Sequence, residues 1–201
     1  MAHKRKGMLL VISGPSGTGK GTLCARLLGQ DEHIRFSTSA TTRAPRAGEI
    51  AGQDYHFLTE AQFQAKVDDG AFLEHAVVHG HRYGTLRADV LACLDAGEDI
   101  LLDIDPQGAR NVMAAMPDSV AVFILPPSYA ALRERLHTRN TEQETEILRR
   151  LGNARGEIDQ LARYHYAIIN DQVEVALAQL RAIVAAERQR TVRFFPEIPA
   201  E

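Results

Sequence analysis

Several features are scarce in these 201 residues, and each scarcity excludes something. No apolar run approaches the roughly 18–20 residues of a membrane span, so no membrane association is expected. The opening MAHKRKG is basic but leads into only six apolar or small residues, too few for a secretory signal. Residues 1–6 and 191–201 read as tails, the first frayed and the second without a legible role. The two cysteines, Cys24 and Cys93, lie in apolar helical patterns. They read as core thiols in a reducing cytosol, not as a disulfide framework. The net charge of −3 gives no basic field that would point to nucleic acid. Lysine is rare: there are four, none after Lys66, against 19 arginines. Arginine suits a bidentate grip on phosphates and carboxylates. Nucleotide bias in the source genome also produces such a skew, so position has to carry any functional claim. No internal repeat or low-complexity tract interrupts the chain. At 45% hydrophobic and 24% charged, it suits one domain.

What is present begins at Met8. MLLVIS (Met8 to Ser13) is a short continuous apolar run. Gly14-Pro15-Ser16-Gly17-Thr18-Gly19-Lys20-Gly21-Thr22 follows, then the helical pattern Leu23, Leu27, Leu28. Strand, glycine-rich loop and helix form the setting that a phosphate-binding loop requires. The glycines let backbone N–H groups turn inward as an anion nest. The helix start adds free N–H groups and the positive end of its dipole. Lys20 supplies a point charge that can follow β- and γ-phosphates. One departure stands out: Gly21, not Ser or Thr, follows the lysine, with Thr22 next. The hydroxyl that ordinarily touches Mg²⁺ is shifted or absent, so the ion is expected to be held through water and by carboxylates elsewhere.

Ile34 to Ser39 reads as a strand edge running into Thr41-Thr42-Arg43-Ala44-Pro45-Arg46-Ala47-Gly48-Glu49, a loop shaped by Pro45 and Gly48. Arg43 and Arg46 read either as a clamp for a second anion or as solvated surface arginines. Gly52 to Leu58, with Tyr55 in it, reads as a turn followed by a short alternating strand, and Thr59 with Gln62 forms a capping box opening a helix. Phe72 to Val78 is a strand with one carboxylate, Glu74, in an apolar setting, and Tyr83-Gly84-Thr85 closes the return. Residues 37–86 therefore look like a small mixed α/β insertion. His75, His79 and His81 are spaced without coherent metal geometry. After a helix from Leu86 to Ala96, Asp99 to Asp105 reads as a buried parallel strand ending in Asp103 and Asp105. Carboxylates there are costly without a partner, and ligands of doubly wound sheets sit beyond such strand ends. A water-held Mg²⁺ or a nearby arginine is expected. A helix at 107–115 and a strand at 120–125 precede two arginine-bearing helices, joined by a turn with a second capping box, Thr141 and Glu144. They read either as a flap whose Arg135, Arg139 and Arg150 converge on phosphates, or as a solvated, salt-bridged pair. A strand at 166–171 and an amphipathic helix from Val173 to Arg190 complete the pattern.

With the phosphate loop, the Thr-Thr-Arg-Ala-Pro-Arg loop, Tyr55, Phe72-Leu73-Glu74, Tyr83-Gly84-Thr85, Asp103-Ile104-Asp105-Pro106-Gln107-Gly108, Leu125-Pro126-Pro127-Ser128 and Ile169-Asn170-Asp171 in order, residues 7–190 closely resemble guanylate kinase. The resemblance implies a P-loop NTPase fold: a parallel-sheet core (7–36, 87–126 and 157–190), a mixed α/β GMP-binding insertion (37–86) and a helical lid (127–156). It implies a cytoplasmic enzyme that phosphorylates GMP, and dGMP as well, with ATP and Mg²⁺, as a monomer or homo-oligomer. ATP would meet Gly14 to Thr22 and Asn170. Ser39, Arg43, Arg46, Tyr55 and Tyr83 would hold GMP at its phosphate side, and Glu74, with Ser39 and Thr85, at its base. Asp103 and Asp105 would lie near Mg²⁺ and the acceptor. Lys20, Arg43, Arg135, Arg139 and Arg150 would serve the transfer. Intact Lys20 and loop glycines argue against a scaffold module that binds without turnover. Tyr55 and Glu74 argue against another acceptor, such as a phosphorylated sugar.

Overall fold

The computed structural model describes residues 5–78, 80–138 and 144–196. Leu9–Ser13 forms strand β1, buried along its whole length. Successive side chains of a strand face opposite ways. Leu10 and Ile12 enter one apolar cluster, while Leu9 and Val11 enter another. A strand apolar on both faces belongs inside a parallel sheet. β1 indeed pairs in parallel on both sides, with Asp99–Asp103 (β7) and Val120–Leu125 (β8). Ile34–Phe36 (β2) and Tyr166–Ile169 (β9) form the edges, giving the order β2-β7-β1-β8-β9. Helices Lys20–Leu28 (α1) and Val173–Arg188 (α7) cover one face with Leu23, Leu27, Leu177, Leu180 and Val184. Arg87–Asp95 (α3) and Pro106–Ala115 (α4) cover the other with Val90, Leu94, Ala109 and Val112. Burying one such Leu or Val stabilises by about 1.5–3 kcal/mol, so these stripes hold the layers together more than helix propensity does. This is the α/β, parallel-sheet architecture expected from the sequence. Cys24 and Cys93 are buried and unpaired within it.

A second sheet, of order β4-β3-β6-β5, combines Ala40–Thr41 (β3), His56–Phe57 (β4), Phe72–Val78 (β5) and His81–Leu86 (β6). It is mixed: β5 and β6 pair antiparallel, β3 and β4 parallel. Glu60–Asp68 (α2) opens on the Thr59–Gln62 capping box, as its sequence predicts. Phe63 of α2 stacks on Phe72 with ring centroids 4.5 Å apart. Tyr129–Thr138 (α5) and Glu144–Ile158 (α6) share a small cluster of Leu132, Leu136, Ile147 and Ala154. Arg139, Thr141 and His79, singled out in the sequence, lie outside the described residues.

Two features depart from the sequence reading. First, β7 stops at Asp103. Asp105 turns out as the N-cap of α4, its carboxylate accepting from Gly108 N at 2.9 Å, with Pro106 at the first helical position. Second, Arg5 and the segment after α7 are clasped to the base of the sheet. Asp99 is fully buried and accepts from Met8 N at 2.9 Å, Arg5 Nη1 at 2.7 Å and Arg188 Nε at 2.7 Å. Arg188 also reaches Asp31 at 2.7 Å. Arg193 is buried and donates to Glu187 at 2.7 Å and to the Asp118 carbonyl at 2.6 Å. Removing one charge from a buried ion-pair network strands the others. Asp99→Asn is therefore expected to destabilise the fold by about 3 kcal/mol, read as a lower urea midpoint with unchanged slope.

Candidate active site

The loop between β1 and α1 wraps an open concavity. Thr18 is fully buried, and its Oγ1 donates to the Pro15 carbonyl at 2.9 Å. Lys20 folds its ammonium back onto the Gly14 and Pro15 carbonyls, at 2.6 and 3.0 Å. Gly19 caps α1 with φ +88° and no side-chain cap, and no acidic residue stands in the first turn. The helix N-terminus thus keeps its donors and its positive dipole end for an anion. A side chain at Gly19 would meet Asn170 Nδ2 at 2.4 Å. Asn170, buried, donates from that nitrogen to the Thr18 carbonyl at 2.8 Å. It therefore braces the loop from behind. Gly14, Ser16, Gly17, Gly19, Lys20 and Gly21 line a cleft of about 620 Å³, whereas exposed Thr22 is not part of the lining.

A second cavity, of about 150 Å³, is lined by Ser39, Tyr55, Glu74, Tyr83, Asp103 and Asp105 among others. Glu74 sits on β5 with 8% of its surface exposed and accepts from Thr85 Oγ1, on β6, at 2.8 Å. Its other oxygen comes within 3.0 Å of where a Cβ on Gly108 would stand, so a side chain there would press on the carboxylate. Burial pushes the Glu74 carboxyl above its usual range; the hydrogen bond from Thr85 opposes the shift and the charge of Asp105 adds to it. Arg43 Nη2 donates to both oxygens of Glu49, at 2.8 and 3.0 Å. That contact, more than any other, holds its guanidinium pKa above the usual arginine range. Arg43 Cζ lies 5.4 Å from the Tyr55 ring centroid, and Tyr55 packs edge-on to Tyr83 at 6.1 Å. Arg46 is exposed on the same loop.

The two cavities share a wall. Tyr55, Val78, Asp103, Ile104 and Asp105 line both. Asp103, at the end of β7, points an oxygen to within 3.8 Å of the Cβ position on Gly21. Across the cleft, Arg150 Nη1 donates to Ser16 Oγ at 2.8 Å, so α6 touches the phosphate loop directly. Leu132 and Leu136 of α5 pack against Gly17, and Arg135 lies half-buried between them. The arrangement thus brings together the loop, Lys20, Arg150, Tyr55, Glu74, Asp103 and Asp105.

Sequence reasoning missed several lining groups. Arg149, Asn153 and Glu157 of α6 face the cleft. Their spacing of four was the available signal, since such residues stack on one helix face. Burial raises the Glu157 carboxyl, with Lys20 opposing. Glu49 was passed over as a polar loop residue.

The raised Glu74 pKa makes a stability prediction with a definite sign. A group whose folded value exceeds its unfolded one, near 4.5, adds stability below 4.5 and loses it as pH rises through the folded value. The ionised carboxylate therefore weighs against the fold at neutral pH. Glu74→Gln is expected to gain thermal stability relative to the parent as pH rises from 4.5 to 7, measured by melting temperatures of both across that range.

Comparison with known proteins bears on this geometry. A family model described as guanylate kinase matches residues 6–187. The guanylate kinase of Caldanaerobacter subterraneus subsp. tengcongensis is 46% identical over 193 residues, covering 96% of this chain and 94% of the relative. That of Symbiobacterium thermophilum is 47% identical, covering 96% and 92%. The crystal structure of guanylate kinase from Anaplasma phagocytophilum superposes with a TM-score of 0.78 at 36% identity, covering 96% of this chain and 92% of that one. With a phosphate loop and an acid-bearing cavity meeting at one strand end, and with relatives matched over nearly their whole length, the chain belongs to the guanylate kinase family.

Proposed function

We infer that this protein transfers the γ-phosphoryl group of ATP to GMP, forming ADP and GDP. The observation that carries the reading is the shared wall at the end of β7, where the phosphate-loop cleft and the Glu74 cavity have lining residues in common. A donor phosphate in one and an acceptor phosphate in the other would meet there. In this reading residues 37–86 bind the acceptor and residues 127–156 close over the donor.

The attacking group is a phosphate oxygen, ionised near neutral pH because its second pKa is about 6. The transfer therefore needs no proton-abstracting side chain. It needs alignment and charge neutralisation. Lys20 and the α1 N-terminus would hold the donor's β- and γ-phosphates, and Arg150, with Arg149 beside it, would approach from the lid. Arg43, Arg46, Tyr55 and Tyr83 would hold the acceptor phosphate. Guanine offers N1–H and N2–H donors, for which Glu74 is the matching acceptor, positioned by Thr85. Adenine lacks that pair and would leave a desolvated carboxylate without a partner.

Mg²⁺ fits the groups present. Among the described residues no three acids or imidazoles form an ion cage. Magnesium usually retains several waters and takes one or two carboxylates together with substrate phosphates. Asp103, facing the open side of Gly21, answers that lighter demand. Asp105, committed to capping α4, would contribute through water. The bound ion would neutralise phosphate charge. Nothing in the chain's composition calls for another cofactor, and a cytoplasmic location suits its two free thiols.

A coupled ADP-release assay with GMP, AMP, CMP and UMP tests the reading. GMP is expected to be the strongly preferred acceptor, and equal rates or no GMP turnover would refute it. Lys20→Ala is expected to lower kcat by at least about 100-fold, as loss of a transition-state donor does. Arg43→Ala is expected to raise the KM for GMP far more than that for ATP.

A further inference from the structure

The loop that carries Arg43 and Arg46 is organised by an acid. Glu49 accepts from Arg43 Nη2 with both oxygens, at 2.8 and 3.0 Å, and from Arg46 N at 2.7 Å. Its own backbone N–H returns to the Arg46 carbonyl at 3.1 Å. Arg43 Nη1 is taken by the Ala44 carbonyl at 2.8 Å. The pair is not a loose surface contact: the two side chains are 11% and 19% exposed. Beyond Glu49 the chain turns back at once, with Ile50 N on Asp54 Oδ2 at 2.7 Å and Gly52 N on the Tyr55 carbonyl at 2.9 Å. That turn delivers the Tyr55 ring onto the face of the Arg43 guanidinium. Tyr83 also meets the Arg43 side chain.

We propose that Glu49 is a positioning residue that pre-sets Arg43 and the Arg46 backbone as a rigid clamp for the acceptor's phosphate. The proposal rests on the assignment of GMP as acceptor. Two effects of Glu49 oppose each other. Its negative charge repels a phosphate dianion, and its bonds remove the rotamer freedom that a long arginine otherwise loses on binding. The repulsion is offset because Glu49 already shares its charge with the Arg43 guanidinium it contacts. The ordering is local and complete. The second effect prevails, and Glu49 raises affinity for phosphorylated ligands despite its sign. It does so for the phosphate alone, because guanine is held on a different strand by Glu74.

The experiment compares parent and Glu49→Gln for GMP binding by calorimetry and for guanosine as a competitive inhibitor. GMP affinity is expected to fall about tenfold, the lower end of what loss of an outer partner does to a metal ligand. Guanosine inhibition and the KM for ATP are expected to stay within twofold. Glu49→Asp, one methylene short of its contacts, is expected to show the same split should the glutamine variant fail to fold. GMP affinity that is unchanged or tighter in the variants would overturn the proposal, because repulsion would then outweigh ordering. Equal weakening of GMP and guanosine would also overturn it, as it would mark collapse of the whole acceptor region. A parent that does not bind GMP would remove the acceptor assignment and this proposal with it.

Discussion

Two phosphorylated nucleotides repel one another, and the site has to overcome that before any bond changes hands. One pair of unit charges 4 Å apart interacts by about 4 kcal/mol at an effective dielectric near 20, and several such pairs meet when triphosphate faces monophosphate. In the proposed reading the charge is met by cations from separate elements: Lys20 of α1 with Arg149 and Arg150 of α6 at the cleft, and Arg43 of the loop after β3 beside Tyr55. Cations gathered this closely repel each other too when no nucleotide is bound. Three of them are each steadied by a neighbour. Lys20 lies on two loop carbonyls, Arg43 on Glu49 and Arg150 on Ser16.

Strand β7 connects this site to the stability of the fold. It begins at Asp99, buried among Arg5, Arg188 and Met8 N, and ends at Asp103, beside the phosphate loop. The clasp at its base ties together chain segments more than 90 residues apart, Arg5 with Asp99 among them. It fixes the strand against which the loop is built. The two helices α5 and α6 are held differently. Their shared cluster is small and separate from both main clusters, and α6 reaches the loop through a polar contact. Elements with few apolar ties open at low cost. The lid proposed for α5 and α6 would use this ease of opening, whereas the loop between β1 and α1 is braced by Asn170.

Local patterns were legible in the sequence, and long-range ones were not. The β1 run, the glycine loop and the Thr59–Gln62 capping box each depend on neighbours within a few residues, and each appears where its sequence predicts. Asp105 shows the limit of reading by proximity. Two acids at the end of an apolar run look equivalent, yet Pro106 at the first helical position makes Asp105 a cap and leaves Asp103 in the strand. The α6 face was a matter of helical phase. Arg149 and Arg150 are adjacent in sequence but about 100° apart on the helix, so which one faces the cleft depends on how α6 is packed. The terminal clasp could not have been read at all. Arg193 looks like any other arginine in an arginine-rich chain until Glu187 and Asp118 are seen beside it.

The choice of base shows how function and stability are traded at one residue. Glu74 is buried beside Asp105, against Gly108, and accepts from Thr85. A carboxylate in that position is poorly solvated, and the empty protein bears the cost. If Glu74 were exposed, water would solvate it whichever purine arrived, and adenine would lose little by failing to donate. Because it is buried, only a ligand edge that donates to it relieves the penalty. If Glu74 reads the base as proposed, discrimination would grow with the same desolvation that weakens the unliganded fold. The clasped, doubly covered core around β7 offsets the cost of burying this one acid. In the proposed reading, specificity at the second cavity would thus depend on packing around β7, including the clasp at its far end.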